Sequence, residues 1–241
     1  AESDSSFILL DMNHTLWQSC PWSNLRVEND STLVGYKLVK GWGPERHVYF
    51  TAVFSKPFRD FGIMQDTIPV KYNTNRFRSS LEAWGKDLRF WMRFPTRQGE
   101  VVTVKTAVSA VSSDGAKLNM QELEGKTFAS LKAEGEKLWE GQLSKFKIEA
   151  TPEQRETFYT SVYHAFLHPF IFQDADGKFR ELDKNIGQAE GFTNYTVFSL
   201  WDTYRALHPL FNLVQRDINA DIVNSMLAHY DKSVEHMLPV L

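Results

Sequence analysis

Leu88-Arg89-Phe90-Trp91-Met92-Arg93-Phe94 sets Leu88, Phe90, Met92 and Phe94 at every second position, with Arg89, Trp91 and Arg93 between them. A period of two marks a β-strand with one dry face and one wetter face. The same period returns on both sides. Val102, Val104, Thr106, Val108 and Ala110 repeat it downstream in a β-branched stretch, and Val48, Phe50, Ala52 and Phe54 repeat it upstream, before Lys56-Pro57. Weaker versions predict strands over 7–12, 32–40 and 76–84. Gly41-Trp42-Gly43-Pro44 and Ser113-Asp114-Gly115 supply turn chemistry between such runs. Many strands with no helix between them predict an antiparallel sandwich.

The period changes near Leu123. Phe128, Leu131, Leu138, Trp139 and Leu143 suit a connecting helix over 127–145, weakened by Gly135 and Gly141. Thr151-Pro152-Glu153-Gln154 then places a hydroxyl at an N-cap, proline in the first turn and glutamine three residues on. Phe158, Val162, Ala165 and Phe166 follow at helical spacing and are expected to bury Phe158, Val162 and Phe166, with the helix stopping at His168 before Pro169. Asp174-Ala175-Asp176-Gly177 reads as a turn, and a polar loop is expected up to about residue 194. Helical spacing resumes at Ser199, bent or divided at Pro209, and again in Ile218, Ile222, Met226 and Tyr230. The expected organisation is a sandwich over 1–122, a linker helix over 123–150 and a helical domain over 151–241.

Composition narrows the function classes. The 241 residues include 27 Lys and Arg against 30 Asp and Glu, a formal charge of −3 with no basic cluster, which argues against nucleic acid as a partner. No apolar run approaches the ~18 residues of a membrane span. Aromatic residues reach 14%, enough for a large core or for a set of stacking platforms. The one cysteine, Cys20, excludes an internal disulfide and fits either a reducing cytosol or a bacterial periplasm. The opening Ala1-Glu2-Ser3-Asp4 carries no targeting segment, and the closing Met237-Leu238-Pro239-Val240-Leu241 is bare and apolar, so the chain is expected to be a piece of something longer.

The sequence holds no GxSxG elbow, P-loop, dinucleotide fingerprint or paired cysteines. His164 and His168 have the i, i+4 spacing of a zinc helix but no glutamate after the first histidine. Asp174-x-Asp176-Gly177 lacks the remaining ligands of a calcium loop. Asn13-His14-Thr15, Asn29-Asp30-Ser31 and Asn194-Tyr195-Thr196 are formal glycosylation sequons, a pattern common by chance. The dense run is Phe198-Ser199-Leu200-Trp201-Asp202-Thr203-Tyr204-Arg205-Ala206-Leu207-His208-Pro209. It has two readings. Ser199 and Asp202 are spaced as a capping box, with the carboxylate spent on main-chain amides. Alternatively Trp201 offers a flat apolar face while Asp202 and Arg205 form a charged hydrogen-bonding edge, as in a sugar site.

Several stretches together resemble glycoside hydrolase family 92, the calcium-dependent exo-acting α-mannosidases. They are Phe7-Ile8-Leu9-Leu10-Asp11, the segment from Gly41-Trp42 to Phe58, the segment from Phe158 to Pro169, and above all the run from Phe198 to Leu210, continuing to His236-Met237-Leu238-Pro239. The resemblance implies a β-sandwich, a linker helix and an (α/α)6 toroid, with the active site between sandwich and toroid. It implies inverting hydrolysis of terminal α-mannosides, N-glycans included, with one carboxylic acid protonating the leaving oxygen and a second activating water. It also implies Ca2+ at the mannose hydroxyls, and a bacterial, periplasmic or secreted setting.

In that family the acid, the base and the calcium ligands lie beyond Leu241, and the opening strands precede Ala1. The expected fold is therefore part of the sandwich, the linker and the first toroid helices, with no catalytic residue and no metal ligand in this chain. Asp202 is expected to bind the −1 sugar, and Trp201 and Arg205 to shape or brace the same wall; Trp42 and His208 are further candidates. Two alternatives stay open: a non-catalytic carbohydrate-binding protein, and another sandwich-plus-toroid α-glycosidase.

Overall fold

The computed structural model describes residues 5–41, 43, 45–65, 68–69 and 81–238. Trp42 lies outside them, as do most of the strand predicted over 76–84 and the apolar residues 239–241. The chain divides between Glu122 and Leu123 into two compact units.

In the first unit, β8 (Leu88–Phe94) alternates as its sequence predicts: Leu88, Phe90, Met92 and Phe94 are buried, and Arg89, Trp91 and Arg93 are half-buried. It is flanked by β1 (Ser6–Asp11) and β5 (Asp60–Gln65), both antiparallel to it, and β6 (Ile68–Pro69) continues the sheet beyond β5. The second sheet has the order β7 (Leu81–Gly85), β2 (Ser19–Asn29), β3 (Thr32–Lys40), β4 (Arg46–Phe54) and β9 (Val104–Ser109), also antiparallel throughout. Leu25, Val27, Leu33, Ala52 and Phe54 of this sheet share one core with Ile63, Leu88, Phe90, Met92 and Phe94 of the other. Phe58 sits edge-on to Phe54, Phe90 and Phe94, with centroids 6.2–6.3 Å away. Full burial of such a side chain stabilises by roughly 1.5–3 kcal/mol, so this aromatic cluster is a principal bond between the sheets.

Two departures from the predicted elements have local causes. The strand β2 interrupts its own alternation with Pro21, a register shift near Trp22, and the buried polar pair Ser23 and Asn24. Those side chains are satisfied within the sheet: Ser23 Oγ donates to Gly85 O, and Asn24 Nδ2 donates to Glu82 Oε1 and Ala83 O. Ser113-Asp114-Gly115, expected to be a turn, opens helix α1 (Ser113–Met120), because the Ser112 hydroxyl caps the Gly115 amide at 3.0 Å. Asn119 of α1 donates to Val108 O, and Lys117 pairs with Glu28, which holds the helix against the five-stranded sheet.

The second unit begins with two helices that carry their own start signals. Thr127 and Ser130 form a reciprocal capping box for α2 (Phe128–Leu143), and Thr151 and Gln154 form another for α3 (Pro152–Ala165). Helix α3 buries Val162 and leaves Phe158 and Phe166 half-buried. It ends three residues earlier than expected, with Phe166 as its C-cap. The segment expected as turn and loop contains short paired strands: β10 (Phe170–Ile171) with β13 (Tyr195–Thr196), and β11 (Lys178–Arg180) with β12 (Ile186–Gln188). Their shortness, two or three residues each, gives no period to read. Three helices follow, α4 (Leu200–Thr203), α5 (Leu207–Val214) and α6 (Arg216–Lys232). Pro209 does not divide them. It sits in the first turn of α5, where an amide is not needed, and the break falls at Tyr204–Ala206.

Candidate functional site

The second unit has a core of Tyr195, Phe198, Phe211 and Ile222, with Phe166, Leu200, Leu207, Ile218 and Met226 packed against it. Phe198, Leu200 and Leu207 thus anchor the dense aromatic and charged run from below. Between these anchors the chain turns Trp201, Asp202, Tyr204 and Arg205 outward, and Trp201 is 79% exposed.

The capping box read from Ser199 and Asp202 is not formed. Ser199 has left-handed backbone angles, φ 43° and ψ 55°, and its side chain caps no amide. Its hydroxyl instead donates to Asp202 Oδ2 at 2.5 Å. Asp202 Oδ1 accepts no hydrogen bond among the described residues. The carboxylate is therefore held by one oxygen and available at the other, and α4 is a single turn fastened by main-chain bonds to Ser199 O.

Arg205 folds back on its neighbour. Its guanidinium carbon lies 5.3 Å from the Tyr204 ring centroid, and its Nε donates to the Tyr204 hydroxyl at 2.5 Å. The guanidinium thus sits at the hydroxyl edge of the ring, and both side chains are exposed. Trp201, Asp202 and Arg205 are all exposed on this one stretch, and Tyr204, which the sequence reading passed over, lies against Arg205. The adjacent Tyr-Arg pair was its only signal. His208 is directed elsewhere: its Nδ1 lies 3.3 Å from Asn219 Oδ1 and its Nε2 is buried with no partner among the described residues.

Other candidates resolve to structure. His168 lies past the end of α3, against Phe170 with ring centroids 4.1 Å apart, so it and His164 do not share a helix face. Asp174 and Gly177 close a turn through the Gly177 amide. Lys178 pairs with Asp176 and holds that carboxyl below its ordinary pKa by its hydrogen bond. Asn194 is fully buried with Nδ2 donating to Phe172 O, which removes it as a glycosylation acceptor. Among the described residues no group of three or more His, Cys, Asp and Glu side chains is placed to hold a metal ion. The second unit also has a cavity of about 480 Å3 lined by Trp139, Phe166, Phe170, Phe211 and others, but Trp201, Asp202 and Arg205 do not line it. Its lining is mainly aromatic and aliphatic, with Gln142, His168 and Gln215 as polar members.

Comparison with known proteins bears on the fold and the family. Residues 1–109 match the profile of the glycosyl hydrolase family 92 N-terminal domain, and residues 115–241 match that of the family 92 catalytic domain. The chain is 70% identical to the family GH92 alpha-mannosidase BT3965 from Bacteroides thetaiotaomicron, with a TM-score of 0.94 over 99% of this chain and 32% of that one. The structure of BT3965 in complex with mannoimidazole gives the same identity and TM-score. The inverting mannosidase BT2199 from the same bacterium shares the fold at 22% identity, with a TM-score of 0.79 over 95% of this chain and 30% of that one. This chain spans about a third of the length of these structures. No curated protein matches the sequence. With both consecutive domain profiles matched in order, and strands followed by helices as they require, the chain belongs to glycosyl hydrolase family 92.

Proposed function

We propose that this chain is a portion of a calcium-dependent, inverting exo-α-mannosidase that releases terminal mannose from α-mannosides, N-glycans among them. The observation that carries the reading is the outward-facing wall of Trp201, Asp202 and Arg205, in a chain 70% identical to an alpha-mannosidase solved with mannoimidazole. In this reading Asp202 accepts hydrogen bonds from mannose hydroxyls in the −1 subsite. Trp201 supplies apolar surface for the sugar ring, and Arg205, fixed on Tyr204, braces the same wall.

Inversion requires two carboxyl groups about 6.5–9.5 Å apart with water between one of them and the anomeric carbon. Both are assigned to parts of the enzyme outside residues 1–241. Among the described residues no three His, Cys, Asp or Glu side chains converge, and in this reading the Ca2+ ligands are assigned to those other parts as well. In domain terms, 1–122 is the sandwich portion, 123–150 the linker and 151–241 the start of an (α/α)6 toroid. The setting proposed is bacterial, periplasmic or secreted, and no helix among the described residues is long and apolar enough to cross a membrane.

The test is stereochemical. The full-length enzyme is incubated with α-mannobiose and the released sugar is followed by proton NMR from the first seconds. The β-anomer of mannose is expected before mutarotation. First appearance of the α-anomer, or no release of mannose from any α-mannobiose, overturns the proposal.

A further inference from the structure

Two residues on either side of buried Phe198 adopt left-handed backbone angles: Val197 and Ser199 both have φ 43°. Neither is glycine, and Val197 is β-branched, a residue type for which positive φ is a genuine outlier. Such backbone is kept where its surroundings over-determine it, and it clusters at binding and active sites. Here the surroundings are clear. Phe198 is locked into the core and against His229, and the Ser199 carbonyl accepts from the amides of Asp202 and Thr203 and from Thr203 Oγ1.

The residue at 199 needs a conformation that glycine adopts most easily, yet it is serine, and its hydroxyl has one acceptor, Asp202 Oδ2. The left-handed turn is what aims that hydroxyl at the carboxylate instead of at the helix amides. We infer that Ser199 is a positioning residue for Asp202: it donates to Oδ2, restrains the carboxylate's rotation and leaves Oδ1 to meet the sugar. This inference rests on the reading of Asp202 as a sugar acceptor. A charge-assisted bond from a hydroxyl of fixed position costs little further ordering when substrate binds, so it favours acceptor bonds that strengthen as the ring distorts.

The test uses the full-length enzyme and three variants, Ser199→Gly, Asp202→Asn and the double variant. Glycine keeps the left-handed backbone without a Cβ and removes only the hydroxyl, so Ser199→Gly should melt at the wild-type temperature or above. Its kcat on an α-mannoside should fall about tenfold with KM changed less, the size of one hydrogen bond to a charged group expressed in the transition state. Because Ser199 acts through Asp202, the double variant should be no slower than Asp202→Asn alone. Wild-type kcat in Ser199→Gly beside a much slower Asp202→Asn overturns the role of Ser199 and leaves that of Asp202 standing. Additive losses in the double variant also overturn it, and near-wild-type turnover in Asp202→Asn removes both assignments together.

Discussion

The ring of Phe198 meets the His229 imidazole edge-on, with centroids 6.0 Å apart and planes inclined by 68°. Phe179 approaches the same imidazole from another direction at 6.1 Å and 77°. The residue that anchors the aromatic and charged run from 198 to 209 thus rests on a histidine that is 4% exposed and whose Nδ1 has no partner among the described residues.

Burial holds the His229 imidazole below its ordinary pKa of 6.5, with a hydrogen bond to the Tyr195 main chain opposing the shift in part. The unfolded chain therefore binds a proton that the folded one refuses. Stability from this group is complete above pH 6.5 and is lost as pH falls from there toward the lowered folded value. The melting temperature should decline as pH falls below about 6.5, and His229→Gln should flatten that decline. Calorimetric scans across this range check it, and an unchanged slope in the variant counts against it.

Asp202→Asn should leave the fold intact, because the carboxylate caps no helix. In the full-length enzyme kcat/KM on α-mannosides should fall on the order of 10–100-fold or more, the loss of a charged acceptor that strengthens in the transition state. Steady-state kinetics together with a thermal melt separate this from unfolding.

Gly35→Ala should destabilise the sandwich. Gly35 is buried in β3, and an added Cβ would clash with the edge of the Phe50 ring and lie 2.8 Å from Asn24 O, a main-chain atom of a central strand that cannot step aside. Overpacking of this kind costs about 1–3 kcal/mol. Urea unfolding followed by tryptophan fluorescence measures it, and a stability within error of wild type would show that the sheet has slack there.

Chelation should abolish turnover of the full-length enzyme on α-mannobiose, and added Ca2+ should restore it. Exhaustive dialysis against EDTA followed by rate measurements with and without calcium is the check. Full activity after dialysis removes the metal from the proposal.

What the sequence made legible was what repeats. Strand β8 carries a clean period over seven residues and buries the face that period predicts, while α3 begins at its predicted cap but stops three residues short and buries only Val162 of the three apolar residues expected. Strand β2 was hidden because Ser23 and Asn24 look wrong for a sheet interior until their cross-strand partners are known. Trp201, Asp202 and Arg205 stand out in the sequence by their chemistry, but of the two readings of that run the capping box at Ser199 does not form. Spacing alone fits a capping box, and only the backbone angle shows that its hydroxyl turns toward the carboxylate.

The reciprocal boxes at Thr127/Ser130 and Thr151/Gln154 are each complete within four consecutive residues. Helices of 16 and 14 residues are marginal in isolation, so their persistence depends on later packing, but the residue at which each begins does not. During synthesis α2 and α3 can take up their correct starting points as soon as they leave the ribosome, before any distant partner exists. Over evolutionary time the same independence lets strands upstream lengthen, shorten or drift in sequence without shifting the phase of the helices that follow.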